Sequence, residues 1–219
     1  MFSDPALIIA AGMPRSASTW LYNAARLLLS SSPSISQQFS CGWIGDWEKI
    51  PKKKYMLIKV HRYNERLVDQ SKCILYSYRD IRDAMASLFR KFGQVPSIEA
   101  ADALVSQYEK WMNVANFVMR YESMLDDKES IITQLVHLFG MQNIDPPRIV
   151  ENIERLSYQS QGSKNATYHN VNLYHRGHMT DGRHGSWEGL IDSNLLKQIE
   201  EKHQGWFEKC GYSIRYLSV

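Results

Sequence analysis

At 219 residues the chain suits one domain with one sizeable core. Its 44% hydrophobic and 22% charged content excludes a disordered or membrane-embedded chain, and a formal charge of only +3 gives no reason to expect nucleic acid as a partner. Three widely separated cysteines, Cys41, Cys73 and Cys210, argue against a disulfide framework and a zinc cluster and are read as reduced thiols.

The apolar run 6–11 reads as a buried strand. It lacks a basic flank and is too short to span a bilayer, which predicts a cytoplasmic location and no membrane partner. A tight loop opening at Gly12 follows, within the stretch Gly12 to Trp20, then a helix over 19–29 that Ser30 to Pro33 terminates. The serine-rich stretch 30–54 is expected to be irregular, with Phe39, Trp43 and Trp47 embedded in it. Strands are expected at 55–61, 73–79 and 117–121. Helices are expected from Asp80, from Pro96 and Ser97, over 131–139 ending at Gly140, from Pro146, and over 194–209 closing at Gly211. The polar, glycine- and histidine-rich stretch 158–189 reads as a loop. Strands alternating with helices predict an α/β single domain, a central parallel sheet flanked by helices, with ligands at the carboxyl ends of the strands.

Strand, tight loop and helix together aim backbone N–H groups and a helix N-terminus at a phosphate. A triphosphatase loop would read G-x-x-x-x-G-K-[ST]; here Ala17 and Ser18 stand where the second glycine and the lysine belong, and the cation has moved to Arg15. The loop therefore suits a phosphate without being built to cleave a γ-phosphate.

Pro14-Arg15-Ser16-Ala17-Ser18-Thr19-Trp20 resembles the 5′-phosphosulfate loop, P-[KR]-[ST]-[GA]-[ST]-T-W, of the sulfotransferases that use 3′-phosphoadenosine 5′-phosphosulfate (PAPS). The resemblance extends over most of the chain and implies their P-loop-NTPase-like fold. It implies that Arg15 neutralises the bridging and sulfuryl oxygens, that Ser18 and Thr19 bond the 5′-phosphate, and that Trp20 stacks on adenine. Lys59-Val60-His61 is similar to the family's K-x-H element: an acceptor hydroxyl or amine must lose a proton as it attacks sulfur, and His61 suits a general base. Lys59 would then stabilise the leaving phosphate. Glu48 and Glu65 stand as alternative bases, because some sulfotransferases use a glutamate.

Arg79 followed by Ser87 resembles the 3′-phosphate element, the arginine supplying a bidentate fork. An arginine held by Asp80 and Asp83 is the competing reading, and Arg82 reads as a solvated helix residue. Arg120-Tyr121-Glu122-Ser123-Met124 looks like the family's R-Y-E-D-[LM] segment, with Tyr121 at the adenine edge or simply in the core. The stretch 175–187 departs from the family's R-K-G-x-x-G-D-W; Gly182 with Arg183 fits its basic element by spacing, and Arg176 with Gly177 is the alternative. His175, His178, His184 and Asp181 also cluster there, but their spacing matches no standard metal motif, so no metal is expected. The run Lys52-Lys53-Lys54 reads as a solvated turn that could form a rim attracting PAPS.

The reading is a PAPS-dependent sulfotransferase that transfers the sulfuryl group in line to a hydroxyl or amine and releases 3′-phosphoadenosine 5′-phosphate (PAP). A nucleotide kinase and a non-catalytic nucleotide-binding module are the competing classes. A small-molecule acceptor is expected in a pocket lined by 30–54, 90–98 and 158–178. Phe39, Trp43, Trp47 and Phe92 could form its wall, or equally be core. The sequence carries no signal for the acceptor's identity or for oligomeric state.

Overall fold

The computed structural model describes residues 6–178 and 182–216. Five parallel strands form one sheet in the order β2-β3-β1-β4-β5: β1 Ala6–Gly12, β2 Phe39–Trp43, β3 Tyr55–Val60, β4 Ser71–Tyr78 and β5 Phe117–Arg120. A strand buried on both faces needs an unbroken apolar run, and β1 has one. Ile8 and Ala10 point into one core layer; Ile9 and Ala11 point into the other.

The first layer is covered by α1 Ser18–Ser31, α7 Lys128–Leu138 and α8 Pro146–Glu154, reached through the short helices α2 Pro33–Ser36 and α6 Tyr121–Asp126. Against the second pack α4 Ile81–Phe92, α5 Ile98–Met112, α9 Ser193–Lys202 and α10 Gln204–Cys210. α5 buries Ala101, Leu104, Val105, Tyr108 and Trp111, the helical stripe expected from its spacing. One further helix, α3 Glu65–Gln70, joins β3 to β4.

Three expectations are corrected. The stretch 30–54 is not irregular throughout: it holds α2, the edge strand β2 and a 3-10 turn, Ile44–Lys49. Its strand is hidden in the sequence because Ser40 and Gly42 interrupt the apolar pattern. A Cβ at Gly42 would meet the Ile50 side chain, which packs against the strand there. The helix expected over 194–209 is two helices, broken at His203, which bonds Asp102 at 2.9 Å beside the Lys202–Asp102 ion pair. The strand expected over 117–121 stops at Arg120, and Tyr121 opens α6.

Candidate active site

Each of the five strands delivers a residue at its carboxyl end to one cleft of about 710 Å³: Trp43 from β2, Lys59 and His61 from β3, the 14–20 loop from β1, Arg79 from β4 and Tyr121 from β5. Strand periodicity accounts for the middle pair, because alternate residues share a face. Lys59 follows Tyr55 and Leu57 on the layer that carries α1, and His61 continues the alternation.

The loop is pinned to β4. The Met13 N–H bonds the Ser77 carbonyl at 2.8 Å, and the Ser16 hydroxyl reaches Met13 O, Ser77 O and Ser77 Oγ. A Cβ at Gly12 would overlap Ser18 and Ser77, so only glycine lets the loop lie this close. Arg15 and Ala17 both take left-handed backbone, φ 67° and 57°, in a turn that swings the chain into α1. Ala17 offers the helix no side-chain cap, and its first turn carries no acidic residue, which leaves its N–H groups directed at the cleft. Ser18 and Thr19, both buried, and Trp20 line the cleft beside it.

His61 is held at both ring nitrogens. Its Nδ1 lies 2.7 Å from the Gly12 carbonyl, which can only accept, so Nδ1 carries the proton and Nε2 the lone pair. Nε2 lies 3.1 Å from Lys59 Nζ. Trp43 covers both groups, its ring 5.4 Å from the imidazole and 5.3 Å from the ammonium. Burial, reinforced by the charge of Lys59, lowers the His61 pKa to about 3, so its base form prevails at neutral pH. Burial, with the charge of Arg15, lowers the Lys59 pKa to about 7.

Arg15 Nε bonds Ser87 Oγ at 2.9 Å and its Nη2 bonds the His178 carbonyl at 3.0 Å. Arg79 bonds the Arg15 and Arg183 carbonyls at 3.2 and 3.0 Å, lies over the Tyr121 ring at 4.0 Å and pairs with Asp83 at 3.3 Å. The Tyr121 hydroxyl donates to the Gly182 carbonyl at 2.8 Å. Two fully buried donors, Trp20 Nε1 and Arg79 Nε, have no hydrogen-bond partner among the described residues. Four cations, Arg15, Lys59, Arg79 and Lys128, line the cleft against a single carboxylate among the described residues, Glu154, which Lys128 already pairs at 2.6 Å. This set suits a polyanionic ligand that also presents a flat ring.

Mouse sulfotransferase SULT7A1 complexed with PAP matches with a TM-score of 0.61 at 16% identity, over 96% of this chain and 90% of that one. Retinol dehydratase in complex with retinol and PAP matches with a TM-score of 0.58 at 16% identity, over 99% and 85%. The fold is the sulfotransferase fold. No family model and no curated protein sequence matches the chain.

Within this sulfotransferase fold, most of the expected site residues converge: Pro14, Arg15, Ala17, Ser18, Thr19, Trp20, Lys59, His61, Arg79, Ser87, Tyr121 and Gly182 all line the cleft. Ser16 does not, its hydroxyl being spent on holding the loop. Arg183 is exposed and meets the site through its carbonyl. Glu48 and Glu65 are exposed and lie outside the lining. Lys52 and Lys53 bond the Trp47 and Gln37 carbonyls away from it. Arg82 is not solvated: it is buried between the Trp187 and Phe207 rings and bonded to Asp80 and Glu200. Asp80 thus serves Arg82, and Asp83 alone pairs with Arg79.

Of the expected acceptor wall, Trp43 and Phe92 line the cleft, whereas Phe39 and Trp47 pack against the core layers. Leu125, which the sequence did not single out, and side chains of the expected stretch 158–178 complete it. Met124 and Leu125 share the cleft face of α6 with Tyr121, an i, i+3, i+4 pattern that was readable once 121 began a helix. Tyr174, His175 and His178 come from the loop, the His178 ring meeting Tyr174 edge-on at 4.8 Å and lying tilted against His175 at 4.2 Å. Burial lowers the His178 pKa to about 2, so that ring is neutral. His184 is exposed, Asp181 lies outside the described residues, and no group of three His, Cys, Asp or Glu among the described residues is placed to hold a metal ion. A second hollow of about 510 Å³, reaching Tyr63 and Leu67, shares Trp43 and His61 with the cleft.

Proposed function

We propose that this chain is a sulfotransferase that moves the sulfuryl group of PAPS to the hydroxyl of a small molecule. The carrying observation is the convergence of Arg15, Lys59, His61, Arg79 and Ser87 in one cleft at adjoining strand ends. On this reading Ser18, Thr19 and the first turn of α1 hold the 5′-phosphate, and Arg79 with Ser87 holds the 3′-phosphate. Trp20, Tyr121, Met124 and Leu156 enclose the adenine; Gly182 and Arg183 close over it.

In the transfer step the acceptor oxygen forms a bond to sulfur as the bond from sulfur to the bridging phosphate oxygen breaks. The hydroxyl proton passes to His61 Nε2, displacing Lys59 from it. The electron pair departs on the bridging oxygen of PAP, and Lys59 and Arg15 stabilise that charge. A hydroxyl is favoured over an amine because Arg15 and Lys59 would repel a protonated ammonium.

The test is radiolabelled sulfuryl transfer to a panel of alcohols and phenols. The wild type is expected to transfer, and His61→Ala is expected to lose at least about 100-fold in kcat while PAP affinity changes by no more than about threefold. Undiminished turnover in His61→Ala would withdraw the base; binding of neither PAPS nor PAP would withdraw the function.

A further inference from the structure

Among the described residues, five large hydrophobic side chains are exposed, and three of them, Phe89, Phe92 and Val95, fall within seven residues at the end of α4. Phe92 is 56% exposed yet also lines the cleft, and Leu88, one turn earlier on the same helical face, lines it too. The patch is therefore continuous with the interior of the site. Phe92 also meets His175 of the aromatic wall, ring to ring at 6.4 Å.

The polar residues of the same turn are engaged elsewhere. Arg90 bonds the Ser186 carbonyl and hydroxyl at 3.0 and 2.7 Å, and Lys91 bonds the Arg176 carbonyl at 3.1 Å, so they fasten Arg176 and Ser186 to α4. Gly93, in left-handed backbone at φ 68°, ends the helix and turns the chain into Val95. The fold thus anchors this turn by its charged side chains and leaves its apolar ones facing water at the cleft's edge, where burial under an apolar ligand would be favourable.

Resting on the sulfotransferase reading, we propose that the acceptor is an amphiphile: its hydroxyl head sits at His61, and its apolar tail leaves the cleft over Leu88 and Phe92 to lie on Phe89 and Val95. The tail is then recognised outside the enclosed site, and selection among acceptors depends on chain length more than on the shape of the head.

The experiment measures kcat/KM for straight-chain primary alcohols from butanol to decanol, each below its solubility limit, with PAPS saturating. A methylene half covered by the lip should raise kcat/KM about twofold, so the series should climb steadily. The double variant Phe89→Ser with Val95→Ser, neither residue lining the cleft, should keep the butanol value and lose most of the climb beyond hexanol. A flat profile in the wild type, with transfer intact, overturns the amphiphile while leaving the sulfotransferase reading standing. A climb that survives the double variant but falls in Leu67→Gln overturns the lip and sends the tail to the second hollow. No transfer to any alcohol, together with no PAP binding, overturns both.

Discussion

Lys59 and His61 are two cationisable groups buried side by side, and their arrangement settles which of them is charged. Gly12 O fixes the imidazole proton on Nδ1, and burial beside Lys59 keeps the ring neutral down to about pH 3. Lys59, lowered to about 7 by burial and by Arg15, is charged below that pH and neutral above it. A nucleotide anion would favour the charged form, so PAP binding should draw a proton onto Lys59. At pH 8, where phosphate monoesters are already fully ionised, the free protein holds about a tenth of its Lys59 charged, so uptake should approach about 0.9 proton. Calorimetry in two buffers of different ionisation enthalpy reads this directly. Above the ionisation of its own phosphates, from pH 7.5 to pH 9, PAP affinity should fall, and Lys59→Met should remove both the uptake and most of that slope. Uptake unchanged in Lys59→Met would assign the proton to another group.

At the scale of elements, the weight falls on the joint between α4 and α9. Arg82 of α4 is bonded to Asp80 at its own N-terminus and to the fully buried Glu200 of α9. Glu200 also accepts the Arg215 and Tyr216 N–H groups, both at 2.9 Å, and so ties the C-terminal segment to the same point. Glu200→Ala would leave a buried guanidinium half compensated and two N–H groups unpaired. The expected cost is about 3–5 kcal/mol in urea unfolding. A loss below about 1 kcal/mol would mean that water replaces the carboxylate. The joint bears on the site because α4 carries Ser87 and its N-cap, Asp80, directly follows Arg79.

For the molecule as a whole, a ligand that bridges the ends of several strands stabilises the entire sheet. PAP at about 100 times its dissociation constant should add about 2.7 kcal/mol, which for a chain of this size raises Tm by roughly 5–10 °C. Magnesium-ATP at the same concentration should shift Tm by less than about 2 °C, since the loop has Ala17 and Ser18 where a triphosphatase places glycine and lysine. Thermal unfolding followed by fluorescence distinguishes the two. Equal shifts would favour a nucleotide kinase.

The local pattern of the chain was enough to place β1, its loop and α1, the face shared by Lys59 and His61, and the spacing of Arg79 and Ser87. Each of these rests on a period or a turn confined to a few residues. The parallel sheet was legible for the same reason: its inner strands are continuous apolar runs. The tertiary structure alone decided the rest. Edge strand β2 exists because β3 pairs with it, and that pairing sets Trp43 opposite Lys59 and over His61. Arg82 is buried because Glu200, more than a hundred residues away, meets it there. Tyr174, His175 and His178 become a wall only when the loop folds back over Arg15. In each case the deciding partner is distant in sequence, and the energy that fixes it comes from burial and pairing that no local pattern records.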